Sequence, residues 1–386
     1  MTISLFEPLR LKTALLASTL GVLLIGCGGG ASSPAPQPPP PTPKSFVYAL
    51  RDVTGGANQL YGYQLDPDTG QLAALPGFPI ATGGVGKGYS ISEGLAYDAA
   101  NRRIYALNSS TITIYSADAR TGALAPLTSS PINLGPGGWS TQTLHPSGSP
   151  LIVGGYDSVQ SYVVTATSAI PATGSPYPLG AASAFSSTVS RNGAYVYLGG
   201  NTGTEMAGFS INATSGVLTP LAGSPYSLSG APVGYASDSE GRLFLANLSG
   251  GTVNALTTST GVPSVVSTGT SGLVAPVHGI LHPAGFYLLA DRGANRVGVY
   301  RVGGTASGTT LGQVAGSPFV SGGDETHVLG LDATARLLVA ANAATRNLTV
   351  FSLDVTTGFL TQKTTQPADA MGATGRLTGL CVVPKL

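Results

Sequence analysis

Short apolar runs separated by tight turns recur from Ser45 to the end of the chain, and their period is that of β-strands rather than helices. The clearest copy lies between Glu93 and Pro131. Glu93 to Asp98 reads as one strand, Arg103 to Asn108 as a second, Thr111 to Tyr115 as a third and Ala123 to Leu127 as a fourth. The turn between the third and fourth, Asp118-Ala119-Arg120-Thr121-Gly122, returns at Asp66 to Gly70, Asn212 to Gly216 and Asp354 to Gly358. Its Asp or Asn closes the turn on backbone amides and its glycine takes the positive φ. The glycines are 52, 94 and 142 residues apart, which sets a unit of roughly 47–52 residues. A second marker follows the fourth strand: Phe78-Pro79, Ser130-Pro131, Ser175-Pro176, Ser224-Pro225 and Ser317-Pro318. Proline there predicts the end of an outer edge strand, where a missing amide donor costs little.

Second strands centre on Val47, Ile104, Ile152, Val196, Phe244, Leu288 and Leu338. Seven units of four strands predict an all-β, seven-bladed β-propeller over residues 45–386. The first unit lacks its innermost strand and the last leaves one over, Leu377 to Val383. The C-terminal strand is therefore expected beside Phe46-Val47-Tyr48, closing the ring without a free edge.

Composition fits this picture. The chain has 386 residues, 55 of them Gly and 28 Pro, with 42% hydrophobic but only 9% charged residues. Residues 1–26 read as an export leader: Arg10 and Lys12, then the uncharged stretch Thr13 to Ile25, too short to span a bilayer. Leu24-Ile25-Gly26-Cys27 resembles the bacterial lipobox, which implies lipidation of Cys27, attachment to a membrane, and a place in the cell envelope at the outer membrane or periplasmic face. Residues 27–44 are a Gly/Ser/Pro-rich linker. The leader holds two of the 18 basic and one of the 17 acidic residues, so the remainder is formally neutral. Nucleic acid is excluded as a partner on that balance. With Cys27 lipidated, Cys381 has no disulfide partner and reads as a small core residue in Leu380-Cys381-Val382-Val383.

Asp66-Pro67-Asp68-Thr69-Gly70-Gln71-Leu72, Pro76-Gly77-Phe78-Pro79 and the run Phe286 to Val297 resemble the lactonase/YVTN propeller family, the 6-phosphogluconolactonase-like propellers. The likeness covers residues 45–386. It implies one of three activities: sugar-lactone hydrolysis, muconate-type lactone formation, or binding by an exported propeller.

Alignment of the innermost strands on their following turn gives a polar ring at one channel mouth: Glu93, Thr141, Ser186, Gly234, His278, His327 and Thr378. His278, His327 and Glu93 are the catalytic candidates, as general base or as ligands of a divalent metal. Thr141, Ser186, Thr378 and Trp139 are the ligand-binding candidates, Trp139 by ring stacking or by packing under its loop. Family members often carry Pro-Arg-His here; Pro276-Val277-His278 and Glu325-Thr326-His327 lack the arginine. Arg191 and Arg292 fall in predicted outer turns, and His145-Pro146 and His282-Pro283 sit at matching strand ends as parts of the repeat. No nucleophile elbow, phosphate loop or paired-cysteine zinc site is present. Two readings stay open: a lipid-anchored binding or scaffold module for a protein or small-molecule ligand, and, as the alternative, a lactone hydrolase or cycloisomerase at the channel mouth.

Overall fold

A computed structural model describes residues 44–87, 93–200 and 203–385. The leader, Cys27 and the linker up to residue 43 lie outside the described residues.

Seven antiparallel sheets form the seven blades of a β-propeller. The innermost strands, in ring order, are Arg376–Pro384, Leu95–Asp98, Thr141–Leu144, Ala184–Val189, Pro232–Ser237, Pro276–His282 and Thr326–Leu331. Blade one is closed by the two ends of the chain: Arg376–Pro384 pairs with Ser45–Asp52, setting Phe46 opposite Val383 and Tyr48 opposite Cys381. Among the described residues the one helical element is the 3-10 turn Ala306–Gly308.

Four strands per blade hold for blades five and seven; the other five blades have a fifth. The proline marker explains it. In blade two, Leu124–Pro126 pairs with one end of the third strand, Thr111–Ala117, and Ile132–Asn133 pairs with the other end. The Ser-Pro unit lies between these pieces as a cis peptide. Proline therefore divides the outer edge instead of ending it. The serine supplies what the interrupted ladder lacks: Ser130 Oγ accepts from Ile114 N at 3.0 Å. Ser175, Ser224 and Ser317 do the same for Ser161, Gly208 and Val299 at 3.1, 2.9 and 2.8 Å. A backbone donor is thus satisfied in four of the five divided blades, while blade one carries Phe78 in the serine's place.

The Asp-x-x-Thr-Gly turns close as the sequence predicts. Asp66 Oδ1 accepts from the backbone N–H groups of Asp68 and Thr69, at 3.1 and 2.9 Å, and Gly70 has φ +74°. These donors hold the Asp66, Asp118 and Asp354 carboxyls below the usual range.

The core lies between blades. Phe46, Tyr48 and Leu50 of blade one pack against Ile104 and Ala106 of blade two. The turn of one blade also docks on its neighbour, where Tyr48 Oη donates to Gly122 O at 2.6 Å. Cys381 is a buried free thiol whose pKa burial pushes up.

The two ends of the ring are different surfaces. Arg376–Pro384 begins at the mouth that holds Glu93, where Gly94 N bonds Thr378 O at 2.8 Å. It ends beside Ser45, where the chain enters. Six residues of strand, roughly 20 Å, separate Thr378 from Pro384.

Candidate functional site

Glu93 precedes the innermost strand of blade two and reaches across blades three and four. Ser186 Oγ and Ser187 N donate to its Oε1 at 3.0 and 3.4 Å, and Ser187 Oγ donates to Oε2 at 3.0 Å. Thr141 Oγ1 also bonds Oε2 and lies 2.7 Å from Ser187 Oγ. A further shell supports the cage, with Tyr235 N donating to Ser186 Oγ at 3.4 Å.

Two opposed effects act on this carboxyl. Desolvation disfavours its charge, and the four donors favour it. Desolvation wins, and the carboxyl is pushed up to about 7. A carboxyl half-protonated near neutral pH can both take and return a proton.

The strand that carries Ser186 and Ser187 is bulged just before them. Ala184 pairs with Gly200 but Ser186 with Gly199, so Phe185 is the extra residue of the bulge. Equivalent irregularities occur at Val277 and at His327. They correct the ring alignment by one position: His278 matches Ser186, each one step past a bulge, whereas His327 sits in the bulge itself. The two imidazoles are therefore not equivalent.

His278 Nδ1 accepts from Leu329 N of blade seven at 3.3 Å. Burial lowers its pKa to about 4, so the ring is neutral at pH 7. With Nδ1 accepting, the proton of the neutral ring is assigned to Nε2. His327 and Thr378 are buried, at 3% and 1% exposure.

Trp139 is 1% exposed and packs in the blade two–three core, with Nε1 donating to Gly135 O at 2.9 Å. Its ring offers the channel no open face. Packing under the loop describes it, and stacking does not. Among the described residues no three His, Cys, Asp or Glu side chains lie close enough to hold a metal ion. Glu93, His278 and His327 do not form a ligand set.

Three residues of this mouth escape the sequence reading. Ser187 is hidden beside Ser186. Lys87 Nζ donates to Trp139 O at 3.1 Å and lies 4.7 Å from the Tyr156 ring centre, its pKa lowered to about 8 by burial despite Asp52. Arg376 opens the closing strand and forms an ion pair with Glu325. The mouth therefore holds cations, Lys87 from the loop after Ile80–Val85 and Arg376 from the first position of the closing strand.

No family model and no curated protein matches the chain. Solved structures do. A candidate 6-phosphogluconolactonase of Bacteroides fragilis aligns with TM-score 0.70 at 16% identity, covering 90% of this chain and 100% of that one. The periplasmic gluconolactonase of Pseudomonas aeruginosa aligns with TM-score 0.71 at 17% identity, covering 89% and 100%. A second candidate 6-phosphogluconolactonase, from Bacteroides uniformis, gives 0.69 at 13% identity, covering 89% and 100%. The chain has the seven-bladed propeller fold of these proteins. Identity this low establishes the shared fold alone, so the chemistry of this propeller is argued from its own residues.

Proposed function

We propose that this propeller is a lactone hydrolase with Glu93 as its general base. The observation that carries the reading is the Glu93 carboxyl, caged by Thr141, Ser186 and Ser187 and poised near neutrality. Glu93 takes a proton from water as the water oxygen attacks the lactone carbonyl. The ring C–O bond then breaks, and the protonated Glu93 returns its proton to the leaving alkoxide. The products are a hydroxy acid and the regenerated carboxylate. The hydroxyl cage orients the carboxyl and supports its charge. Neutral His278 supplies an uncharged Nε2–H donor to the same mouth. The structural likeness to proteins described as lactonases adds support.

Of the two readings the sequence left open, this geometry favours the enzyme over a plain binding module. A binding surface has no need of a near-neutral carboxyl held by four donors. Lactone hydrolysis lost in Glu93→Gln, with the fold intact, is the test.

The lipobox at Leu24 to Cys27 supports a lipid-anchored protein of the cell envelope.

A further inference from the structure

The innermost strands of blades two to six end in a groove on the face opposite Glu93. It consists of two cavities, of about 530 and 280 Å³, that share Arg191 and Ser237. The larger is within the size range of small-molecule pockets. Leu144, Val189 and Leu281 contribute apolar surface, and Pro146 and Pro283 edge it.

The charges of the groove are Asp98, Arg191, Asp238, Glu240 and Arg242. Four of them are satisfied. Arg242 pairs with Asp238 at 2.6 Å and Glu240 at 3.6 Å. Asp98 accepts from Asn101 N and Nδ2 at 3.1 and 2.8 Å. The imidazoles are also committed, His145 Nδ1 to Ser147 Oγ at 2.7 Å and His282 Nε2 to Ala335 O at 2.5 Å. Arg191 is different. It is exposed, lines both cavities, and makes no hydrogen bond or ion pair among the described residues.

We infer that this groove is a second ligand site, for a small carboxylate-bearing molecule held by the Arg191 guanidinium. The planar fork of arginine matches a carboxylate with two parallel hydrogen bonds. The apolar strand ends receive the ligand's carbon chain. A ring-opened lactone gains a carboxylate that the lactone lacks, so a hydroxy acid is a member of the class recognised. That link to the Glu93 reaction rests on the proposed hydrolysis; carboxylate binding itself does not.

The test is calorimetric titration of the full chain with sodium gluconate, beside sorbitol, which carries an alcohol in place of the carboxylate. Gluconate is expected to bind saturably and sorbitol not. Arg191→Ala should weaken gluconate roughly tenfold to a hundredfold, the span of a charge-assisted contact. No saturable gluconate binding, equal binding of sorbitol, or undiminished affinity in Arg191→Ala would overturn the site. Gluconate binding that depends on Arg191 in a protein without lactone hydrolysis would uphold this site while removing the Glu93 reading.

Discussion

Ser187 Oγ stands 3.0 Å from Glu93 Oε2, although the two residues are 94 positions apart and on blades two and four. This contact joins the two effects that set the carboxyl's proton affinity, because the hydroxyl donates to the charged form in a desolvated place. Removing the donor should therefore raise the carboxyl above its value of about 7. In Ser187→Ala the pH midpoint of lactone hydrolysis is expected to move upward. A pH–rate profile on both proteins checks this, and an unmoved or lowered midpoint would separate Ser187 from the base.

The same carboxyl links stability to pH. Its folded pKa of about 7 lies above the ordinary value of 4.5, so the folded state favours the protonated form. The associated stability is complete below the unfolded value and is lost as pH rises through the folded one. Glu93→Gln cannot lose a proton. Its melting temperature relative to wild type is expected to rise between pH 4.5 and pH 8, as thermal scans at both ends would show.

His278 has the opposite sign. Its folded pKa of about 4 lies below the ordinary value of 6.5. The stability contributed by the neutral ring is present above the unfolded value and lost as pH falls through the folded one. Replacement by Gln, which keeps an acceptor for Leu329 N, should lower the midpoint of acid unfolding. Circular dichroism during acid titration is the measurement.

The fold was legible because the repeat states it many times over, and because a first unit short of one strand and a last unit with one over complete each other. Tyr48 opposite Cys381 realises that expectation. The serine before four of the five marker prolines carried a meaning that strand patterns do not encode, since its value lies in a side-chain bond to a different strand. At the mouth, Glu93, Thr141 and Ser186 were readable as polar breaks in apolar strands. Ser187 and the inequivalence of His278 and His327 were not, because a bulge adds a residue without changing the hydrophobic pattern. Lys87 lies in the loop after Ile80–Val85 and Arg376 at the first position of the closing strand, and neither belongs to the apolar pattern.

Ring closure and the split edges give a stability test in two sizes. Deleting residues 376–386 removes buried Leu377, Leu380, Cys381 and Val383 and exposes Phe46 to Leu50. At about 1.5–3 kcal/mol for each large apolar side chain, the loss is comparable with the stability of a whole domain. The truncated chain is expected to be unfolded by circular dichroism. Ser130→Ala only orphans Ile114 N, and should cost about 1–3 kcal/mol in urea melts.

The central claim is that Glu93 moves the proton in lactone opening. Its most direct measurement is the hydrolysis rate of gluconolactone, above the spontaneous rate, for wild type and Glu93→Gln across pH 5 to 9. The account predicts wild-type turnover that rises through a midpoint of about 7, and a loss on the order of a hundredfold or more in a folded Glu93→Gln protein. Equal rates in the two proteins, or a wild type no faster than buffer, would contradict it.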